Sequence, residues 1–472
     1  MIWPGKEKSK EEKEKETSPL PAKNFSTGPE DLLAYGFDSS GRTGRPSAVA
    51  WPQSADEVAK VLKHARENGM KVVPRGAGTG MSGGAVPVAS QAGISSSLLV
   101  LSMERMNRLL DIDSGNLTVT VEPGMINGRL QRELSVYGLF YPPDPTSMEF
   151  CTLGGNVAEN AGGPRALKYG VTADYILELE AVLPSGEIIK TGAGTRKSVV
   201  GYNLAKLLTG SEGTLAVITK IKLKVLPIPQ EIITLLAVFD SAESAGHAVS
   251  SIIAGGTIPR TLEIMDRASI SAVERYSPTG LPHNAGALLL IELDGHPNTI
   301  RDEAGKIVDV CSKLDAEVTM AEDEFAKDAL WKARRSLSPA LYNVCPRKLS
   351  EDIVVPPSRI PEMLASISNI SGKQGVPMAA FGHAGDGNLH VNILPEDLSQ
   401  GASNITALLT DLFARTLELG GSISGEHGIG LTKKDYIGME ISPAVMELMR
   451  GIKRTFDPEG LLNPGKIFPK EP

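Results

Sequence analysis

The stretch PRGAGTGMSGGAVP, Pro74 to Pro87, decides the fold of the first half of this chain. A strand-like run, Lys71 to Val73, leads into it, and glycines at 76, 78, 80, 83 and 84 let backbone N–H groups converge. Converging amides make a nest for an anion, phosphate above all, because no Cβ holds the backbone away. A structural turn is the plainer alternative. The run is not a dinucleotide fingerprint, since Gly83, Gly84 and Pro87 interrupt the helix that would have to follow. It is not a P-loop, since no Gly-Lys-Ser/Thr closes it. GAGTRKS at 192–198 carries Lys-Ser without the preceding glycine.

Upstream, Ser54 and Glu57 form a capping-box signature, and Val58, Val61, Leu62 and Ala65 make the apolar stripe of a helix that Gly69 ends. Downstream, strands are expected at 98–101, 117–122, 174–183 and 214–226, with helical pieces near 125–136 and 203–208. Two further glycine-dense segments lie among them: YPPDPTSMEFCTLGGNVAENAGGPRALKYG, Tyr141 to Gly170, and LLTGSEGTL, Leu207 to Leu215. Three such segments in one α+β domain, residues 25–228, make a long groove suited to an extended dinucleotide. Residues 1–24 alternate Lys and Glu without apolar periodicity and read as a disordered charged tail or a frayed helix.

After Pro227 and Pro229 the texture changes. Strand-like runs at 231–239, 260–265, 286–293 and 315–320 alternate with helical runs at 241–254, 297–313 and 323–343. This pattern predicts a second α+β domain, residues 229–440, whose sheet is covered by helices on one face. Strands at 350–355, 376–382 and 387–394 follow. Late helices near 403–419 and 442–454 flank the segment GSISGEHGIG, and residues 441–472 form a C-terminal segment.

The 472-residue length fits two domains. A formal net charge of −8 argues against nucleic acid as a partner. Three scattered cysteines, Cys151, Cys311 and Cys345, give no disulfide framework. No apolar run approaches the roughly 18 residues of a membrane span, and no signal peptide is visible. A cytoplasmic protein is expected, with peripheral contact at the inner face of the membrane left open.

Only seven histidines occur, and three of them sit in two tight motifs. GHAGDGNLHVNI holds His383, His390 and Asn392; SGEHGIG holds Glu426 and His427. Asp386-Gly387 is a hairpin signal, so His383 and His390 can face each other across a turn. His390 and Asn392, two apart on a strand, share a face. Two imidazoles and a carboxylate with open positions would form a catalytic divalent-metal site. The alternative is a set of satisfied core polar residues. In LWKARRSLSPAL, Leu330, Arg334, Leu337 and Leu341 place Arg334 on the buried stripe of a helix. An arginine there needs an anionic partner: a structural carboxylate, or a bidentate substrate carboxylate.

The ordered set RGAGTGMSGG, PPDP, CTLGGNVAENAGGPRALKYG and TGSEGTL resembles the FAD-binding domain of the vanillyl-alcohol oxidase superfamily. It looks most like the branch of glycolate oxidase flavoprotein subunits, D-lactate dehydrogenases and D-2-hydroxyglutarate dehydrogenases, over about residues 40–470. The resemblance implies a PCMH-type, two-subdomain FAD-binding domain, a substrate or cap domain with an antiparallel sheet, and a C-terminal segment returning to the flavin. By it, Arg75, Gly76, Ala77, Gly78, Thr79, Gly80, Ser82 and Gly83 would hold the pyrophosphate. Pro143, Asp144, Thr152, Gly154 and Gly155 would line nucleotide and flavin. Gly163, Tyr169, Glu212, Gly213 and Thr214 would complete the cradle, with Asn463 of NPGKIF near the isoalloxazine. Relatives with covalent flavin often carry a histidine in the first loop; here Thr79 and Gly80 stand in that stretch, so non-covalent FAD is expected.

The same resemblance implies His383, His390 and Glu426 as ligands of Zn²⁺, Mn²⁺ or Fe²⁺. His427 would be the base and Asn392 a substrate contact, while Arg334 and Ser338 would bind the substrate carboxylate. D-2-hydroxyglutarate enzymes carry a lysine where this chain has Ser350, with Lys348 and Arg347 out of register, which favours D-lactate or glycolate. The expected function is FAD-dependent, metal-assisted oxidation of a small D-2-hydroxy acid. Electrons would pass to a quinone, an iron–sulfur protein or an electron-transfer flavoprotein, and a homodimer is left open as the assembly. A D-2-hydroxyglutarate dehydrogenase and a non-redox FAD transferase of the ether-lipid synthase type are the alternatives.

Overall fold

The computed structural model describes residues 18–88, 97–395 and 402–470. The charged tail expected over residues 1–24 lies mostly outside these residues. The strand leading into the glycine loop, Lys71–Arg75, pairs parallel with Leu98–Ser102, which pairs parallel with Ala48–Ala50. Phe25–Ser26 closes the far edge antiparallel. Parallel strands need a crossover, and the helix Ala55–Glu67 supplies it. Ser54 Oγ accepts the Glu57 N–H at 3.2 Å as expected. The Glu57 carboxylate, however, accepts from the Gln53 N–H at 2.8 Å, so the box closes one residue early. Val58, Val61 and Leu62 are fully buried on the sheet. Each such side chain contributes on the order of 1.5–3 kcal/mol of hydrophobic burial.

Beside this sheet stands a five-stranded antiparallel one, in the order Leu109–Asp113, Thr118–Val121, Val217–Lys224, Ile176–Val182, Ile188–Gly192. Its outer strands carry exposed or half-buried residues, which is why their periodicity did not stand out in the sequence. The helix Asn127–Ser135 packs Leu130 and Leu134 into its core. The C-terminal segment comes back to the first sheet. The Val72 N–H donates to Leu461 O at 2.9 Å, and the Asn463 N–H to Val72 O at 2.7 Å.

The rest of the chain builds a seven-stranded antiparallel sheet. Its strand order is Glu317–Met320, Glu231–Phe239, Ala287–Gly295, Thr261–Asp266, Met378–His383, Asn388–Ile393, Leu349–Val354. One face packs on helices Ala242–Ala254, Pro297–Ser312, Ile360–Gln374 and the helix Ala402–Glu418. The expectation of helices on one face alone is corrected. Helices Arg267–Tyr276, Glu324–Arg335 and Leu337–Val344 cover part of the other face. The strand Ala287–Gly295 shows why: Leu288, Leu289, Leu290 and Ile291 are all fully buried, so both faces exclude water. The single helix expected over 323–343 is two, broken at Ser336. Pro339 has no N–H for the Arg335 carbonyl and its ring would clash there, so a new helix starts with proline in its first turn.

Candidate active site

Strand alternation decides which side chains meet. Register pairs Glu263 with His383, Phe381 with His390, His390 with Asp352, and Asn392 with both Ala379 and Ser350. Residues directly opposite share a face, so all of these project from the second face of the seven-stranded sheet. That face meets the glycine loops across a cavity of about 450 Å³. At one end its wall is Arg75 to Gly80, Thr152, Gly154, Gly155, Glu212 and Gly213. At the other it is Arg334, Ser338, His390, Glu426 and His427.

The glycine wall is a cradle. A Cβ on Gly76 would lie 2.3 Å from Thr152 Oγ1, which itself caps the Gly155 N–H at 3.2 Å. The cavity wall also holds a buried polar atom without a partner, Asn156 Nδ2. An elongated backbone-walled groove with an unmet polar atom fits a dinucleotide flavin.

Several expected cradle residues stand behind this wall instead. Ser82 accepts the Leu431 and Thr432 N–H groups through its carbonyl, and Gly83 packs on Leu431. The Pro143 carbonyl accepts from Asn127 Nδ2 at 3.0 Å. Asp144 pairs with Arg165 at 3.0 Å, and burial still pushes its carboxyl up to about 6. Gly163, at φ +130°, lies against the Asp144 carbonyl. The Tyr169 hydroxyl donates to Asp294 at 2.7 Å, so it ties the flavin-side helix to the seven-stranded sheet. Thr214 Oγ1 donates to Ser211 O at 2.7 Å and faces a second cavity. The Asn463 amide donates to Gly84 O at 3.0 Å and Glu212 O at 2.7 Å, so it joins two glycine segments rather than lining the cavity.

His383 and His390 lie on the two arms of the hairpin whose turn, Ala384 to Gly387, includes Asp386-Gly387. Gly387 is obligatory there: its φ is +87°, and a Cβ would strike the Val355 carbonyl at 1.8 Å. The two rings meet edge to face with centroids 5.2 Å apart, and His390 stacks on His427 at 5.3 Å. Glu426 Oε1 lies 3.3 Å from His383 Nε2 and 3.6 Å from His390 Nε2. One ligand atom from each of His383, His390 and Glu426 fits within 4.8 Å, a spacing that can hold a cation. Burial, together with the charges of His383 and His427, holds His390 well below the ordinary imidazole pKa, in its neutral, metal-competent form. Burial opposes charge on His383 as well, but the carboxylates of Glu263 and Glu426 outweigh it and raise its pKa well above normal.

Two acids that sequence reading passed over organise the cluster. Glu263 is fully buried; it accepts from Arg334 Nε at 2.6 Å and meets His383 Nδ1 at 2.7 Å. Asp352, also fully buried, accepts the backbone N–H groups of Gly425, Glu426 and His427 at 2.8, 2.6 and 3.1 Å. It takes Lys433 Nζ at 2.5 Å and lies 3.4 Å from His427 Nδ1. Burial would raise its pKa, yet His427, Lys433 and the loop amides outweigh that and hold it far below the usual carboxylate range. The available signal was an acid inside a largely apolar strand, Glu263 in TLEIMD and Asp352 in SEDIVV; such an acid, once buried, must be paired.

For Arg334 the structure supplies the structural carboxylate. Its Nε is paired with Glu263, but its Nη2 is buried without a partner, and the residue lines the cavity. The expected substrate contact of Asn392 is corrected. Its Oδ1 accepts from Lys348 Nζ at 2.7 Å and Ser350 Oγ at 3.1 Å, it is fully buried, and it is not part of the cavity wall.

A glycine-walled groove running into a histidine-lined chamber between two domains defines an FAD-dependent oxidoreductase. Residues 46–192 match the FAD binding domain family, and residues 228–467 match the C-terminal domain of FAD linked oxidases. The chain belongs to the FAD-linked oxidase family. It is 41% identical over 451 residues to the glycolate oxidase subunit GlcD of Bacillus subtilis, covering 95% of this chain and 94% of that protein. It is 36% identical over 435 residues to the D-lactate dehydrogenase of Anaerostipes hadrus, covering 90% of each. Its fold is similar to that of 4-ethylphenol oxidase from Gulosibacter chungangensis, with a TM-score of 0.76, 19% identity and 95% of both chains covered. Among the described residues no helix is long and apolar enough to cross a membrane.

Proposed function

We propose that this chain oxidises a small D-2-hydroxy acid, D-lactate or glycolate, to the 2-oxo acid, with non-covalent FAD as hydride acceptor and a divalent cation on His383, His390 and Glu426. The observation that carries the reading is the unpartnered Arg334 Nη2 in the same cavity as His390, Glu426 and His427. The names of the relatives, glycolate oxidase subunit and D-lactate dehydrogenase, support the substrate class. Residues 25–228 would form the flavin domain, 229–440 the substrate domain, and 441–472 the returning segment.

Arg334 and Ser338 would hold the substrate carboxylate, fixing which face of C2 is presented. His427 would take the hydroxyl proton; Asp352 beside Nδ1 keeps the ring oriented and leaves Nε2 as the acceptor. Glu263 at His383 Nδ1 leaves that residue's Nε2 for the cation, and cation binding would displace the proton shared with Glu426. When bound, FAD supplies the two-electron sink, and the cation lowers the pKa of the substrate hydroxyl. The Lys348 ammonium is engaged by Asn392 and lies outside the cavity wall, which favours a monocarboxylate. Electrons then leave to a quinone, an iron–sulfur protein or an electron-transfer flavoprotein.

The test is anaerobic addition of D-lactate, L-lactate, glycolate and D-2-hydroxyglutarate to the yellow holoprotein, with and without a chelator. Bleaching by D-lactate or glycolate that the chelator abolishes is expected. Bleaching that survives complete metal removal would reject the metal role, and no bleaching by any acid would reject the substrate class.

A further inference from the structure

A second cavity, about 410 Å³, adjoins the first and shares Glu159, Ser211, Glu212 and Glu426 with it. Nothing in the mechanism above uses it. Its other walls are largely apolar, formed by Leu215, Ile429, Ile437, Ile441, Met449 and Ile452. The two charged residues at its rim are engaged. Lys453 Nζ donates to Thr214 O, Asp457 and Leu462 O, and Glu440 accepts from Ser422 and Ile423. Among the described residues that line it, the cation Lys453 is thus already engaged, which favours an uncharged ligand over a hydroxy acid.

The helix Pro443–Phe456 shows how the cavity meets the surface. Val445, Leu448, Met449, Ile452 and Phe456 fall within a helical arc of about 100°. Ile452 and Phe456 pack on the flavin-side core, and Met449 and Ile452 line the cavity. Val445 and Leu448 on the same stripe are 42% and 69% exposed. An apolar track therefore runs from solvent to the wall shared with the flavin cavity. In that wall stands Glu159, whose Oε2 is buried without a partner. Burial and the neighbouring Glu212 hold its carboxyl well above the usual range, which favours the protonated form.

We propose that the second cavity binds a quinone-class electron acceptor, its ring against Glu159 and its apolar tail leaving past Met449, Leu448 and Val445. The inference rests on the reading of the chain as a hydroxy-acid oxidase, and the balance closes without a further reactant. Oxidation of the acid releases two electrons and two protons. The quinone takes up two of each, its two C=O bonds becoming C–O–H, while Glu159 donates one proton to a quinone oxygen and recovers one of those released.

The experiment compares the holoenzyme with Met449→Trp, which fills the track. Acid-driven reduction of decylubiquinone is expected to fall at least tenfold, while anaerobic bleaching and ferricyanide reduction hold within twofold. Met449→Ala, which threatens folding less, is expected to raise the KM for decylubiquinone severalfold with ferricyanide turnover unchanged. A photoreactive quinone analogue added to the oxidised enzyme without acid should label residues 437–452. Quinone and ferricyanide rates that fall together, quinone rates that do not change, or labelling elsewhere would each overturn the proposal. Labelling at 437–452 in a protein that no hydroxy acid bleaches would keep the quinone site and reject the substrate reading instead.

Discussion

Replacing Glu263 by Gln removes one charge and reverses one hydrogen-bonding group at the point where two functional residues are held. Oε2 takes Arg334 Nε at 2.6 Å and Oε1 meets His383 Nδ1 at 2.7 Å, all of it nearly or fully buried. Glutamine has one acceptor and one NH₂ for two donors. If the NH₂ faces His383, the imidazole must take the other tautomer, with its proton on Nε2, where the lone pair is needed for a cation. If it faces Arg334, two donors oppose each other. Either way Arg334 becomes a buried cation without a counterion, which costs about 3–5 kcal/mol of stability. Loss of an outer partner to a metal-binding histidine typically costs about 10–100-fold in metal affinity. Urea unfolding and competitive titration with a zinc chelator measure the two quantities independently of turnover. A variant within about 1 kcal/mol of the parent, with metal affinity within a factor of about two, would refute this account of how Arg334 and His383 are held.

Asp352→Asn is expected to destabilise by about 3 kcal/mol at neutral pH, because buried Lys433 keeps only Glu351, at 3.6 Å, as a counterion and three loop amides lose their charged acceptor. The folded pKa of Asp352 lies below its unfolded value of roughly 3.9. Its contribution is therefore complete above that value and drains away as pH falls further. The gap in urea unfolding between the two proteins should narrow steadily as pH falls below about 3.9, and a constant gap down to about pH 2 would contradict the assignment. Gly76→Ala places a methyl 2.3 Å from Thr152 Oγ1 inside the cradle. The variant should purify pale, with FAD affinity reduced at least about tenfold, equivalent to about 1.4 kcal/mol. Fluorescence titration of the apoprotein with FAD checks it, and full yellow colour at unchanged affinity would show that the loop has room to spare.

Much of the site was legible because its signals are local. The glycine run, the Asp386-Gly387 hairpin that opposes His383 and His390, and the stripe that buries Arg334 each arise from backbone freedom or periodicity over a few residues. The misassigned residues were close to the right place with the wrong neighbour. Asn392 does share a face with His390, but Lys348 and Ser350 reach it first. Tyr169 stands at the domain contact because Asp294, on a strand far along the chain, takes its hydroxyl.

Sequence alone determined most of the elements, the order of the two family domains, the glycine wall and the chemical types gathered near the His383–His390 hairpin. Tertiary structure alone decided who organises them. Glu263 lies 120 residues from His383, and Asp352 lies 74 from Glu426. Their meeting depends on a strand order that sets Thr261–Asp266 beside Met378–His383 and Leu349–Val354 beside Asn388–Ile393. Local propensity reports what a residue's immediate backbone prefers. Sheet order is set by the burial of whole faces, and only that brings an acid in one strand to the imidazole of another.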